Sequence, residues 1–364
     1  MLEIHEINTI KEFFELRSSW NEVLKRSKNK SAFFLTWEHI LISVKNLRRN
    51  QLLRILYITN VDEIIAIAPL KQTYHSFRGL FSYSIIETLD YGIATDYTGL
   101  ILAEQKLECL QAFLKYLYCQ DGWDFINFND IRGSSMMLKL LTNKRDLFPK
   151  FELEVSARCP YIEIPDSIEK YMKSLSRNFR RNLKRCLRSL EKAHGKVELV
   201  EYFELGSLGE TMEIFFKLHK KRWNLKGGSG VATLQKLRSV FMDRAELFAE
   251  KSWFGLFFLT VNGKPIAAKY TIKYGQKIYG CLSGFDPAYS CYSVGNLALL
   301  KLIEKCIEQE INEYDFMKGD ESHKFNWTDR YRENANIKFI NRRIRSQLFA
   351  RCLKIKKALD FFFR

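Results

Sequence analysis

The stretch WFGLFFLTVNGKPIAAKYTIKYGQKIYGCLSGF, residues 253–285, decides the fold class of this 364-residue chain. It contains three runs rich in apolar, aromatic and β-branched residues, a composition typical of strands. Asn262-Gly263 separates the first two runs, and Asn-Gly is the strongest short hairpin signal. Gly275-Gln276 separates the second run from the third. The pattern therefore predicts three antiparallel strands, over residues 253–261, 266–274 and 277–285.

The segments around this sheet have counterparts in the first half of the chain. A predicted helix, Val294 to Gln309, and a buried strand, Tyr314 to Met317, follow the hairpins. A similar order occurs earlier, where we predict helices over residues 9–26, 36–47 and 104–118 and strands over residues 52–59, 64–74 and 123–128. The chain is therefore predicted to be α/β (α+β), with two tandem copies of one mixed, largely antiparallel sheet flanked by helices. The predicted divisions are residues 1–150, 151–341 and a C-terminal helix over residues 342–364.

Composition excludes several classes of protein. Hydrophobic residues make up 46% of the chain, which is enough for a packed core and argues against disorder. No apolar run reaches the roughly 18–20 residues that a membrane-spanning helix needs, and the N-terminal sequence does not resemble a signal peptide. The eight cysteines form no CxxC pair and no cluster with metal-ligand spacing. We therefore expect a cytoplasmic protein with reduced thiols and no metal site.

Positive charge is concentrated in the second half of the chain. The formal net charge is +16, of which residues 1–150 carry +2 and residues 151–364 carry +14. This asymmetry indicates an anionic partner for the second half, and four kinds of partner fit it: a phosphorylated cofactor, an acidic carrier protein, RNA or an anionic membrane surface.

Two basic segments stand out within that half. Residues 177–192 form a predicted amphipathic helix whose polar face includes Arg181 and is mostly basic, so it is either a solvated face or an anion-binding face. Further on, His219 and Trp223 lie four residues apart, which places them on one face of a helix beside Arg222. The glycine-rich stretch at residues 227–230 is either a loop over a site or a connector.

Two further segments have the character of a ligand site. Phe285 ends a strand, and Ser293-Val294-Gly295-Asn296 opens a helix, whose free N–H groups and positive dipole end favour a phosphate. Alternatively, Ser293 is only a helix cap. Polar residues also follow the buried strand at 314–317, where ligands usually bind in α/β sheets. The polar and aromatic residues in that segment are Asp315, Asp320, His323, Lys324 and Trp327.

These motifs together carry a resemblance to a known family. The elements are His219-x-x-Arg222-Trp223, the Asn262-Gly263 hairpin, Ser293-x-Gly295 and Asp315-Phe316-x-x-Gly319-Asp320-x-x-x-Lys324-x-x-Trp327. They resemble the GNAT-type acyltransferases of the cellulose-biosynthesis and envelope-polysaccharide kind. That group is similar to the Fem-type aminoacyltransferases, which have two GNAT-like halves. The resemblance covers about residues 176–330 and implies that the second half is catalytic and the first is a degenerate copy.

The resemblance implies roles for individual residues. The candidate catalytic residues are Asp320, His323 and His219. The candidate donor-binding residues are Ser283, Phe285, Tyr292, Ser293, Val294, Gly295 and Asn296. The candidate acceptor-binding residues are Arg181, Arg222, Trp223, Asp315, Lys324 and Trp327. Four positions depart from the family pattern: Tyr292 and Leu297 replace the outer residues of the phosphate loop, Val294 replaces a proline, and His323 replaces a tyrosine.

The resemblance implies transfer of an acyl group from an acyl thioester, carried by CoA or a carrier protein, to an amine or hydroxyl. The acceptor is expected to be a sugar, an amino acid or an envelope precursor, and the attack to be direct. One alternative is aminoacyl-tRNA-dependent transfer, as in Fem-type proteins, the one case in which we expect a nucleic acid partner. The other is a non-catalytic GNAT scaffold that binds membranes or nucleic acid.

The C-terminal segment, residues 342–364, has eight basic residues and one acidic residue. Ile344, Leu348, Cys352, Ile355 and Leu359 recur in it at helical spacing. A basic amphipathic helix of this kind can bind an anionic membrane surface, which would make the protein peripheral at the inner membrane face. The alternative is a terminal helix packed on the protein core.

Overall fold

The structure is a computed structural model that describes residues 2–29, 32–77, 81–225, 227–228, 230 and 235–352. The chain forms two compact units. The first comprises the described residues of 1–157 and 333–364, and the second comprises those of 158–332. The second unit is thus inserted between two segments of the first.

The first unit contains one mixed sheet. Its strands are β1 (Leu2–Ile7), β2 (Gln51–Asn60), β3 (Glu63–Phe77), β4 (Phe81–Thr88), β5 (Ile101–Leu102), β6 (Phe125–Arg132) and the residues 333–340 of β13 (Tyr331–Ile340). Its helices are α1 (Ile10–Glu15), α2 (Arg17–Arg26), α3 (Trp37–Lys45), α4 (Lys106–Cys119) and α5 (Met136–Asn143). The strand order is β1-β2-β3-β4-β6-β13, and β5 pairs with β3. All of these pairs are antiparallel except β4 with β6.

The second unit contains a sheet of the same design. Its strands are the residues 158–163 of β7 (Phe151–Glu163), β8 (Val197–Glu201), β9 (Phe254–Val261), β10 (Lys264–Tyr274), β11 (Lys277–Phe285) and β12 (Glu313–Asp315). Its helices are α6 (Ile168–Ser174), α7 (Arg177–His194), α8 (Leu208–Asn224), α9 (Gln235–Glu250), α10 (Val294–Glu308) and α11 (Ser322–Phe325). The strand order is β8-β9-β10-β11-β12-β7. Only β11 and β12 are parallel.

The two sheets therefore repeat one pattern: three antiparallel pairs, one parallel pair and a final antiparallel pair. This confirms the predicted fold class and the tandem plan. It also confirms the hairpin at Asn262-Gly263, because β9 ends at Val261 and β10 begins at Lys264. Gly263 has a φ of +80°, the left-handed backbone conformation that such a turn requires.

The two units differ at the parallel pair. In the first unit, β4 ends one residue after its last pair with β6, Glu87 with Asn127. In the second unit, the last pair of β11 with β12 is Tyr279 with Asp315, and β11 then continues to Phe285. Beyond Tyr279, β11 therefore continues for six residues without β12 as its pairing partner.

Several elements differ from the sequence prediction. The helix predicted over residues 9–26 is two helices that meet at Leu16, and the first is capped by Thr9, which also forms a capping box with Glu12. The predicted second domain extended to residue 341, but residues 333–340 pair with β6 and belong to the first unit. The second unit begins at residue 158, eight residues after the predicted boundary at 150.

The C-terminal segment packs on the first unit. A helix covers residues 344–352, and Ser346, which is fully buried, donates a hydrogen bond of 2.7 Å to the carboxylate of Asp124. The Phe349 ring lies 4.5 Å from that of Tyr83, centroid to centroid. These contacts match the alternative of a packed terminal helix as far as residue 352. Ile355 and Leu359 lie outside the described residues. In the part of the chain that the structure describes, we find no helix with the length and apolarity needed to cross a membrane.

Candidate active site

A cavity of about 300 Å³ lies where β11 leaves β12. Near this point β11 has a bulge at Cys281. Tyr270 of β10 pairs with Leu282, and the next residue, Thr271, pairs with Gly280, so the register of the two strands skips Cys281. The cavity is lined by Arg222, Lys269, Ser283, Gly284, Phe285, Ser290, Ser293, Val294, Gly295, Asn296 and His323. These include six of the seven predicted donor-binding residues, and the remaining one, Tyr292, does not line it.

The first turn of α10 forms one wall of this cavity. Ser293 precedes the helix in the left-handed conformation, with a φ of +51°, and its side chain caps no helix N–H. Its carbonyl accepts hydrogen bonds from the N–H groups of Asn296 and Leu297, at 2.8 and 3.1 Å. The N–H groups of Val294 and Gly295 come earlier in the helix than these two donors. They occupy the positions at which an N–H group has no acceptor within the helix. The Val294 side chain is buried in the core, whereas Gly295 has no side chain between the helix and the cavity.

The loop that leads into α10 is anchored to α8. Asp286 accepts a hydrogen bond of 3.2 Å from the Ala288 N–H, which starts a short 3-10 helix at Pro287–Tyr292. The other carboxylate oxygen of Asp286 forms an ion pair of 2.6 Å with Lys221. The position of the α10 N-terminus is thus tied to the helix that carries Arg222.

The charges around the cavity all have one sign. Arg222, Lys269 and His323 are its titratable lining residues, and the positive end of α10 adds to them. Among the described residues that line it, none is Asp or Glu. Such a site favours an anion, because a helix N-terminus flanked by cations stabilises negative charge.

Two side chains of α8 hold β11 at Ser283. The ring Nδ1 of His219 lies 2.8 Å from the Ser283 carbonyl oxygen, and Arg222 donates to the same oxygen at 3.1 Å and to the Ser283 hydroxyl. Gly284 makes this approach possible. A Cβ at Gly284 would lie 2.7 Å from the carbonyl carbon of Leu218 and 2.8 Å from the Cα of His219.

These contacts define the chemical state of His219. Because a carbonyl only accepts, Nδ1 carries the proton and Nε2 carries the lone pair. Burial, together with the Arg222 charge, lowers the pKa of the ring below its ordinary value, although the Ser283 bond opposes this. The ring is 1% exposed and does not line the cavity. Although the sequence predicted a catalytic role, the geometry of His219 is that of a residue that positions β11.

His323 and Asp320, the two other candidate catalytic residues, occupy different places. His323 is exposed at the mouth of the cavity. Partial desolvation lowers its pKa, Arg222 and Lys324 lower it further, and Glu321 opposes them. Asp320 is exposed and does not line the cavity. Only His323 is thus brought together with the donor-site residues.

Asp315 and Lys324, predicted to bind the acceptor, build the loop after β12. The Lys324 ammonium donates to the carbonyls of Met317, Lys318 and Gly319 at 3.3, 2.8 and 3.3 Å. Asp315 is 1% exposed; it accepts from the Met317 N–H at 2.7 Å and pairs with Arg332 at 3.1 Å. Neither lines the cavity, and both hold the loop that presents His323.

Trp327 belongs to the hydrophobic core of the second unit. Its ring lies 5.0 Å from that of Phe179, edge to face, and the Tyr171 hydroxyl donates to its carbonyl at 2.9 Å. It also lines a separate cavity of about 660 Å³ beside α6 and residues 325–330. None of the candidate catalytic or donor-binding residues lines that larger cavity.

Tyr292, Trp223 and Arg181 lie outside the smaller cavity. Tyr292 packs edge to face on His194 at the end of α7, with ring centroids 5.4 Å apart. The described glycines at 227–230 lie over Trp223: a Cβ at Gly228 would approach its ring to 2.9 Å. Arg181 is exposed on α7.

Sequence reasoning missed Lys269. It lies in the run Ile266-Ala267-Ala268-Lys269-Tyr270 of β10, where its neighbours are apolar, and it pairs with Ser283 across the sheet. The sequence signal that could have identified Lys269 is a single lysine within a strand that is otherwise buried. No group of three or more His, Cys, Asp or Glu in the described residues is arranged to hold a metal ion.

The comparisons with known proteins agree with this architecture. Residues 177–325 match the model of a family described as acetyltransferase (GNAT) domain. No curated protein matches this chain by sequence. A crystal structure of FemX superposes with a TM-score of 0.63 at 12% identity, over 92% of this chain and 97% of that one.

Two other solved structures are similar at lower scores. A tandem GNAT protein from the clavulanic acid biosynthesis pathway has a TM-score of 0.49 at 8% identity, over 93% of this chain and 98% of that one. L-PGS from Bacillus licheniformis has a TM-score of 0.49 at 10% identity, over 78% and 84%. The likeness to FemX concerns the fold, and the match to the GNAT domain model is confined to residues 177–325.

Proposed function

We propose that the second unit transfers an acyl group from an acyl thioester, carried by CoA or a carrier protein, to an amine or hydroxyl. The observation that carries the proposal is the cavity free of carboxylates at the start of α10, beside the unpaired part of β11. The same cavity joins a helix N-terminus to the part of β11 that no longer pairs with β12. Those are the two features that a phosphorylated thioester donor needs.

The residues of the cavity fit the parts of such a donor. The N–H groups of Val294 and Gly295 would bind the diphosphate, and Arg222 would add a charge-assisted contact. The backbone of β11 after Cys281 would hydrogen-bond the thioester arm. A backbone N–H there would stabilise the oxyanion that develops when the acceptor attacks the thioester carbon. That attack forms the new C–N or C–O bond, and the C–S bond then breaks to release the thiol.

His323 is the residue best placed to handle protons in this step. Its lowered pKa keeps the imidazole neutral at pH 7, so that it can take a proton from the attacking amine or hydroxyl. Activity that depends on neutral His323 is lost as the pH falls through this lowered pKa. We propose a sugar, an amino acid or an envelope precursor as the acceptor, on the family resemblance alone.

The test is thiol release from acetyl-CoA and from a longer acyl-CoA, measured with candidate amines and amino sugars. His323→Ala should lower turnover by about 100-fold or more, the usual size of a general acid–base contribution. Asp320→Asn is assayed beside it, because the sequence predicted the same loss there. Normal turnover of His323→Ala in folded protein would contradict the role of His323.

Donor binding is tested separately from turnover. Gly295→Glu would place a carboxylate at the start of α10 and should abolish binding of acyl-CoA in isothermal titration. Gly295→Ala is the matched control, because a Cβ there would meet nothing closer than the Phe285 ring at 3.8 Å. If neither acyl-CoA binds the wild type, CoA is not the donor.

A second candidate, transfer from aminoacyl-tRNA, is favoured by α7. Its exposed face carries Arg177, Arg181, Lys184, Arg185, Arg188 and Lys192. In the described part of the chain no ion pair involves these six residues, so the face is open to a polyanion. RNA binding should weaken steeply as salt rises, whereas turnover of acyl-CoA should change much less.

A further inference from the structure

Lys269 is a cavity residue to which the proposed mechanism gives no role. It lies on β10, paired with Ser283 of β11 on one side and Phe257 of β9 on the other. Its side chain lines the same 300 Å³ cavity as Arg222, His323 and the first turn of α10. The ammonium group therefore lies beside the proposed diphosphate position.

The groups that face Lys269 are cationic, neutral or engaged elsewhere. From α8 come Arg222, which is cationic, and His219, which is neutral. From the segment after β12 comes His323, with Glu321 beside it; the Glu321 carboxylate pairs with Lys324 at 3.0 Å. The strands β9 and β11 contribute Phe257 and Ser283, and α10 contributes its positive end. Among the described residues, no carboxylate forms an ion pair with Lys269.

This environment makes the amine unusually acidic. Desolvation in the cavity wall, followed by repulsion from Arg222, lowers the pKa of Lys269 to about 7. An ordinary lysine has a pKa near 10.4. Around neutral pH the empty cavity therefore holds a mixture of the amine and the ammonium.

We propose that Lys269 is a proton-linked clamp for the donor's diphosphate: it binds the anion as an ammonium group and takes up its proton from solvent as the donor enters. The inference rests on the proposed thioester donor. It adds to that site a further binding residue and a dependence of donor binding on pH. A bound anion would offset both the desolvation and the repulsion that make the charged form unfavourable. Above pH 7 the cavity would thus carry its full positive charge only when an anion occupies it.

The proposal predicts how affinity depends on pH. Below pH 7 the lysine is already charged, and binding has its full strength. Above pH 7 each bound donor must bring a proton with it, so affinity falls by up to tenfold per pH unit until the pKa of the complex is reached. The lysine thus makes donor binding strongest at neutral and acidic pH.

Isothermal titration at pH 8 in two buffers of different ionisation enthalpy measures the protons taken up. The probes are CoA and dephospho-CoA, whose diphosphate diester does not titrate near neutral pH. We expect close to one proton for the wild type, no uptake but retained binding for Lys269→Arg, and at least tenfold weaker binding without uptake for Lys269→Met. Lys264→Met is the control, because Lys264 is exposed on the same strand and does not line the cavity.

A second measurement keeps this inference separate from the choice of donor. Competitive labelling with acetic anhydride between pH 6 and pH 11, read by mass spectrometry, reports the titration of each amine. Lys269 should titrate near pH 7 in the free protein and at least one pH unit higher with inorganic sulfate, while Lys264 should not change. If CoA fails to bind but sulfate shifts Lys269, CoA is not the donor and the anion clamp stands. An ordinary titration near pH 10 in the free protein, or proton uptake unchanged in Lys269→Arg, would overturn the clamp.

Discussion

Single residues fix the position of the Ser283 main-chain carbonyl, and Ser283 lines the cavity. It accepts hydrogen bonds from both His219 and Arg222, and Gly284 allows the backbone of α8 to approach. These contacts are structural: they fix β11 after it has left β12. The effect of a substitution there should therefore appear in stability and in donor binding together.

Gly284→Ala tests this residue-scale argument. The added methyl would overlap the backbone of Leu218 and His219, which cannot move without the rest of α8. We expect a loss of about 1–3 kcal/mol in the free energy of unfolding, the usual cost of overpacking, with a weaker affinity for acyl-CoA. Thermal unfolding and isothermal titration measure the two effects. Gly295→Ala should change neither, and unaltered stability of Gly284→Ala would show that α8 does not press on β11.

At the scale of the element, the hairpins were predictable and the strand β13 of the first unit was not. The runs at residues 253–285 show strand composition and are separated by an Asn-Gly turn and a Gly-Gln turn, which are local signals, and β9, β10 and β11 follow them closely. β13 has no such signal, because its place is set by pairing with β6, whose residues lie some 200 positions earlier. The cavity was predictable as a helix N-terminus, whereas Lys269 enters it only through the register of β10 with β11.

The helix α7 offers a prediction at the same scale. It buries Leu183, Cys186 and Leu190 and exposes its basic residues, so charge reversal on the outer face should leave the packing intact. The variant Arg181→Glu/Lys184→Glu/Arg188→Glu should bind an acidic carrier protein or RNA at least tenfold more weakly at low salt. Its turnover of acyl-CoA should stay near that of the wild type.

The matched control places the same charge change elsewhere. Lys11→Glu/Lys25→Glu/Lys115→Glu alters three exposed lysines of the first unit. Measuring the binding of both triple variants at increasing salt concentration distinguishes an effect of the α7 surface from an effect of the net charge of the protein. Equal losses in the two variants would show that α7 is only a solvated face.

At the scale of the whole molecule, the C-terminal segment bears both on the stability of the protein and on its predicted binding to an anionic membrane surface. Asp124, which accepts from Ser346, also accepts from the Ser84 N–H at 3.0 Å, so the segment 341–352 completes a buried network. Truncation after Asn341 should therefore lower the melting temperature by several degrees, because it leaves the Asp124 carboxylate without a partner for one oxygen. Thermal unfolding measures this.

A chain that ends at Cys352 is the informative comparison. It keeps the packed residues 344–352 and removes residues 353–364, which carry Ile355 and Leu359. We expect wild-type stability for this variant. If it no longer floats with anionic vesicles while the full chain does, residues 353–364 bind the membrane surface; equal flotation of both would assign the attraction to another part of the protein.

The insertion of the second unit also has a consequence for synthesis. The nascent chain releases β6 from the ribosome about 200 residues before it releases β13, the strand that completes the same sheet. At roughly 5–20 residues per second, translation leaves the edge of β6 open for about 10–40 s. The last strand of the second unit, β12, ends at Asp315, 25 residues before β13 ends at Ile340, which gives that unit about 1–5 s to fold before β13 is released. The inserted unit should therefore mature first and its host last, and the open strand edge is the place where a chaperone would be expected to bind the growing polypeptide.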